Sequence, residues 1–75
     1  ASSVWVSSTN ELTVKSSKTE IQSVRVFDIL GRELANFPNV NGYEIPLTKI
    51  QKNNSGLIIQ VTLKNGIVIN KKTIY

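Results

Sequence analysis

The chain has 75 residues with no cysteine, histidine or methionine, and nine Lys/Arg against five Asp/Glu give it a net charge of +4. That length allows one domain at most, and one that buries only about 60% of its unfolded surface, so stability beyond ~3–5 kcal/mol is not expected. The missing residue types exclude disulfides and thiolate metal sites, and remove the commonest general base and the commonest metal ligand.

In chain order, the opening Ala-Ser-Ser lacks an initiator Met. The chain therefore reads as a processed or excised piece, with residues 1–3 as linker or cloning residue and 4–75 as a single domain. VWV at 4–6 is the first candidate strand, and SSTN breaks it. ELTVKS follows, with Leu12 and Val14 on one face and Thr13 and Lys15 on the other, the alternation of a half-buried strand. After the turn SKTE, IQSVRVFD puts Val24 and Val26 opposite Arg25 and Phe27. Phe27 is expected in the core, which would make this strand central and covered on both sides.

DILGRE reads as a hairpin corner, with Asp28 bonding the turn backbone, Gly31 at positive φ and Arg32 on the rim. A strand over about 32–37 pairs back. PNVNG is a loop with Gly42 as its permissive residue, and the Pro46 of YEIPL fits an edge or a strand end. TKIQKNNS is expected to form one helical turn under Ile50 and then a loop.

GLIIQVTLKNGIVINKKTIY is two strands around Asn65-Gly66, the strongest short-range hairpin signal, with a type I′ turn expected for a two-residue loop. Leu57, Ile59, Val61 and Leu63 share one face. A two-residue loop pairs Leu63 with Val68; a three-residue loop pairs Leu63 with Ile67 and Val61 with Ile69; a bulge could reconcile the two. Both registers are open at this level. Either way the terminal residues are strand.

The expected fold is therefore all-β: a small antiparallel, Ig-like β-sandwich of about seven short strands that ends in a β-hairpin. No pair of carboxylates is brought together for acid/base work, nothing activates the many Ser and Thr hydroxyls, and no phosphate-cradling or calcium spacing is present. No enzyme, cofactor or metal is expected. The lysines are scattered rather than clustered with aromatics, so no nucleic-acid partner is expected. No apolar run approaches the ~20 residues of a membrane-spanning helix, so direct membrane insertion is not expected either. Trp5 and Tyr43 could form an exposed aromatic platform, which would make the chain a carbohydrate-binding accessory module of a secreted hydrolase.

IQSVRVFDILGREL, with NELTVKSS before it and a closing hairpin that ends Lys-Lys-Thr-Ile-Tyr, resembles the C-terminal sorting domains of the bacterial type IX secretion system. The likeness spans about 4–75 and is nearer the type C subgroup: SGLII stands where many members carry Gly-x-Tyr, and the PNP-type opening is missing. It implies a non-catalytic β-sandwich at the end of a larger secreted cargo protein in Bacteroidota-type bacteria. The domain would fold in the periplasm and direct the cargo through an outer-membrane translocon with help from a carrier barrel. A sortase-like peptidase would then remove it, leaving the cargo at the cell surface or secreted. The surface expected to be recognised is Lys71, Lys72, Thr73, Ile74 and Tyr75, with Gly31 and Arg32 as a second patch. A final strand at a sheet edge would offer backbone groups to a partner by strand addition.

Overall fold

Dense β-branched residues in short alternating runs build strands, and their apolar faces need a second layer to cover them. In the computed structural model, which describes residues 4–7, 11–48, 50 and 54–75, seven strands form. They are β1 (Val4–Ser7), β2 (Thr13–Ser16), β3 (Ile21–Asp28), β4 (Glu33–Phe37), β5 (Glu44–Pro46), β6 (Gly56–Leu63) and β7 (Val68–Ile74). They make a three-stranded sheet, β1-β2-β5, and a four-stranded sheet, β4-β3-β6-β7, and every pairing is antiparallel. The two sheets form a small β-sandwich, with β1 packed against β7 along one seam.

The core is what the alternation puts inside. Val4, Leu12, Val14 and Leu47 meet Ile21, Val24, Val26, Ile59 and Val61, all of them fully buried. Phe37, Val40, Ile45 and Ile69 pack around this cluster. Ser16 is the buried polar side chain among the described residues, and its hydroxyl donates to the Thr19 carbonyl. No buried side-chain N or O is left without a partner among the described residues, as a thin core requires.

Phe27 corrects the sequence reading. It stands on the outer face of the four-stranded sheet, half-buried, with the Arg25 guanidinium 5.1 Å above its ring. Arg25 Nε also reaches Glu33 Oε1 at 2.7 Å. A long basic side chain thus lays its stem over the ring, and a second sheet is not needed on that side. β3 is interior in strand order but is covered by a sheet on one face only.

The last hairpin takes the three-residue register, with Val61 opposite Ile69 and Leu57 opposite Thr73. Its loop is closed by Gly66 N–H to Leu63 O at 3.0 Å and Leu63 N–H to Ile67 O at 2.9 Å. Only Gly66 has positive φ, at 89°, so the turn is type I with a glycine bulge rather than type I′. Asn65 contributes through its side chain, whose Oδ1 accepts the Ile67 N–H.

The loop between β4 and β5 differs as well. Asn39 and Asn41 take the left-handed region, at φ 59° and 51°, while Gly42 does not and instead bridges to Ile21. Asparagine tolerates that region better than most residues, so the turn did not need the glycine there. Pro46 ends the short edge strand β5, as expected. Ile50 N–H donates to Leu47 O at 3.2 Å, a single turn; the rest of the expected helical turn, with Lys49 and Lys52, lies outside the described residues.

Candidate functional site: the terminal end of the four-stranded sheet

The corner after β3 is built by one carboxylate. Asp28 Oδ1 accepts the backbone N–H groups of Leu30 and Arg32, both at 2.9 Å, and Oδ2 lies 2.7 Å from Arg32 Nε. Gly31 N–H donates to Asp28 O at 3.0 Å, Asp28 N–H donates to Arg32 O at 2.9 Å, and Gly31 has φ 87°. This is the same bulged three-residue turn that joins β6 to β7. The Arg32 N–H is the main influence holding the Asp28 carboxyl below the usual carboxylate range; desolvation opposes it as the next largest, and the Arg32 side chain and the Leu30 N–H add to the lowering. The geometry matches the hairpin corner read from DILGRE. Its cost is exposure: Ile29 and Leu30 are pushed into solvent, 66% and 75% accessible.

The register then decides what lies beside that corner. Asp28 pairs with Leu57, and Leu57 pairs with Thr73. The end of β3, the start of β6 and the end of β7 therefore meet at one end of the sheet. One residue further out, Gly56 pairs with Ile74, and a Cβ on Gly56 would stand 2.8 Å from Ile29 Cγ2. Ile29 is seated on the bare backbone of Gly56, in the row that ends at Ile74. In the next row Lys72 lies opposite Ile58, which lies opposite Phe27.

The five terminal residues divide by the pleat. Lys72 and Ile74 face outward and are exposed, Ile74 at 70%. Lys71 and Thr73 alternate with them, facing inward and half-buried. Tyr75 is in the core at 8% exposure, and its backbone exchanges two hydrogen bonds with Ser55, Tyr75 N–H to Ser55 O at 3.0 Å and Ser55 N–H to Tyr75 O at 3.4 Å. The directly accessible part of the expected surface is thus Lys72 and Ile74, with Arg32 and the Gly31 turn across from them; Tyr75 acts as an anchor. Sequence reading missed Ile29, Ile58 and Gly56. The apolar Ile29 and Leu30 inside a turn were the available signal, since a turn tip that needs nothing apolar carried two such residues.

No strand pairing joins Trp5 to Tyr43. Trp5 pairs with Lys15, and Lys15 with Glu44, on the outer face of the three-stranded sheet. Tyr43 is exposed in the bend just before β5, its carbonyl accepting the Ser16 N–H at 2.7 Å. Among the described residues no cluster of Asp, Glu, His or Cys gathers that could hold a metal ion, and no helix is long and apolar enough to cross a membrane.

Fold and site together define a small β-sandwich module, without a helix among the described residues, with an apolar and cationic patch at one end of one sheet. A family model described as DUF8694, a domain of unknown function, matches residues 1–75, and the chain belongs to that family. No curated protein matches the chain.

Proposed function

We propose that this domain is a non-enzymatic sorting signal that directs a larger cargo protein across the outer membrane by the type IX route. Its partners on that route would be the translocon, a carrier barrel and a sortase-like peptidase. The domain would pass through the periplasm and reach the cell surface or medium with its cargo. One observation supports the reading above the sequence resemblance. The two segments that carry the resemblance, the DILGR corner and the terminal strand, lie far apart in the chain but share one end of one sheet, joined by Ile29 over Gly56 and Gly56 opposite Ile74. A recognition surface made of two sequence motifs needs such a meeting point. A corner that only turned the chain would not need two exposed apolar residues at its tip.

Fusion of residues 1–75 behind an unrelated periplasmic reporter, in a type IX-competent host, tests the proposal. Removing Lys71 to Tyr75 would be a poor control, because it takes Tyr75 from the core. The outward-facing variant Lys72→Glu with Ile74→Asp is the better one. The wild-type fusion should appear outside the cell and the variant should stay in the periplasm with its fold intact. Equal export of both would remove the proposal.

A further inference from the structure

We infer that the open edge of β7 takes up an extended strand of a partner protein that presents an acidic side chain opposite Lys72 and apolar side chains opposite Ile74 and Val68. This deepens the export reading and rests on it for the existence of a partner.

The hydrogen-bond phase of β7 is fixed at both ends. Tyr75 exchanges bonds with Ser55, and Leu63 N–H reaches Ile67 O. Bonded pairs alternate along an antiparallel ladder, so Ile69, Lys71 and Thr73 turn their backbone groups toward β6. Val68, Asn70, Lys72 and Ile74 turn theirs to the open side. These same four residues carry the side chains of the outer face.

The other sheet edges are poorer templates. β5 is three residues long and ends in Pro46; β1 has four residues. β4 is broken by a register shift opposite Val26 and Phe27. Proline, shortness and bulges are the usual means of blunting an edge. β7 has seven residues in unbroken register with β6 and no ladder on its other side; β1 packs beside it without pairing, and its lysines disfavour pairing with like charge.

Those lysines select the occupant. A second copy paired antiparallel along the full length of β7 would set Lys71 opposite Lys71 and Lys72 opposite Asn70, and like charges directly opposite destabilise a pair of strands. The carboxylates at this end are already engaged, Asp28 by Arg32 and Glu33 by Arg25, each at 2.7 Å. Lys72 has no ion-pair partner among the described residues. A carboxylate on an incoming strand would supply one, and apolar side chains on either side of it would cover Ile74 and Val68, which are 70% and 51% exposed.

The test uses two synthetic peptides, Val-Thr-Glu-Thr-Ser-Thr-Val and the same sequence with lysine in place of glutamate, titrated into the whole chain and followed by amide hydrogen exchange. The glutamate peptide should slow exchange at Asn70, Lys72 and Ile74, and should bind about five- to tenfold more tightly than the lysine peptide. Lys72→Glu should reverse that preference. Asn70→Pro removes an N–H that points away from β6 and fits strand backbone, so it should leave the melting temperature nearly unchanged and abolish pairing. If Asn70→Pro unfolds the chain, Lys72→Glu decides alone. No binding of the glutamate peptide, indifference to Lys72→Glu, or protection along β4 instead would overturn the inference. The reporter fusion separates the two ideas. Export of Asn70→Pro at the wild-type level sinks strand addition and leaves the sorting role standing; failure of the wild-type fusion to be exported sinks the sorting role, while peptide pairing is still read on the purified chain.

Discussion

Ile29 rests on Gly56: a methyl-sized group at that glycine would lie 2.8 Å from Ile29 Cγ2, well inside van der Waals contact. The corner after β3 and the first residue of β6 are thereby fitted to each other on the face where Ile74 also stands. Gly56→Ala should displace Ile29 and cost under about 1 kcal/mol, because Ile29 is exposed and free to swing aside. The cost to peptide pairing and export should be larger than the cost to stability. Adding Ile29→Ala should relieve the clash, restoring the melting temperature without restoring the binding. A Gly56→Ala chain that binds and is exported normally would show that the seat is incidental.

Gly31 and Gly66 occupy equivalent places in two like turns, at φ 87° and 89°, and a side-chain methyl at either would meet nothing within 4 Å. Any penalty for alanine is then purely conformational, about 1–2 kcal/mol at each site. Urea denaturation of Gly31→Ala and Gly66→Ala should give similar losses, additive in the double variant because the sites lie in separate turns. Unequal losses would mean that one turn relaxes out of this conformation.

Neighbouring Ile74 and Tyr75 should behave in opposite ways. Tyr75→Ala empties a core position and should cost about 3 kcal/mol, most of the stability available to a domain of this size. Ile74→Asp, on the exposed side of the same strand, should move stability by no more than about 0.5 kcal/mol. Thermal melts of the two variants check this, and a stable Tyr75→Ala chain would contradict the anchoring role.

Acid should loosen the corner before the core. The folded Asp28 carboxyl titrates below its unfolded value of about 3.9. The stabilisation it gives is therefore complete above that value and lost as pH falls through the lower, folded one. Wild type should lose stability below about pH 4. Asp28→Asn should start less stable at neutral pH and lose less over the same window. Parallel melting curves against pH for the two proteins would show that the Asp28–Arg32 pair contributes nothing.

Much of the fold was legible because its signals are local. Alternation gave β2, β3 and β6; Asn65-Gly66 marked the last turn; Gly31 after Asp28 marked the other. What escaped depended on register. Phe27 alternates with two core valines, yet only the Arg25 side chain overhead tells that its face is solvent-side. The choice between loop lengths in the last hairpin rested on whether Asn65 would take positive φ, and its side chain served the turn instead by accepting the Ile67 N–H. At the site, Lys72 and Ile74 could be named in advance. Gly56 could not, since its importance comes from Ile29, a residue in another hairpin brought over it by the pairing of β3 with β6.

The opposed orientations of Ile74 and Tyr75 have a consequence for any partner. Ile74 stands beside Ile29 only when Tyr75 is packed inside and Ser55 holds its backbone, so an unfolded chain with the same final residues does not present the pair. Docking across these two isoleucines would discriminate between a completed domain and a loose one, and inspection of the fold would be part of recognition itself.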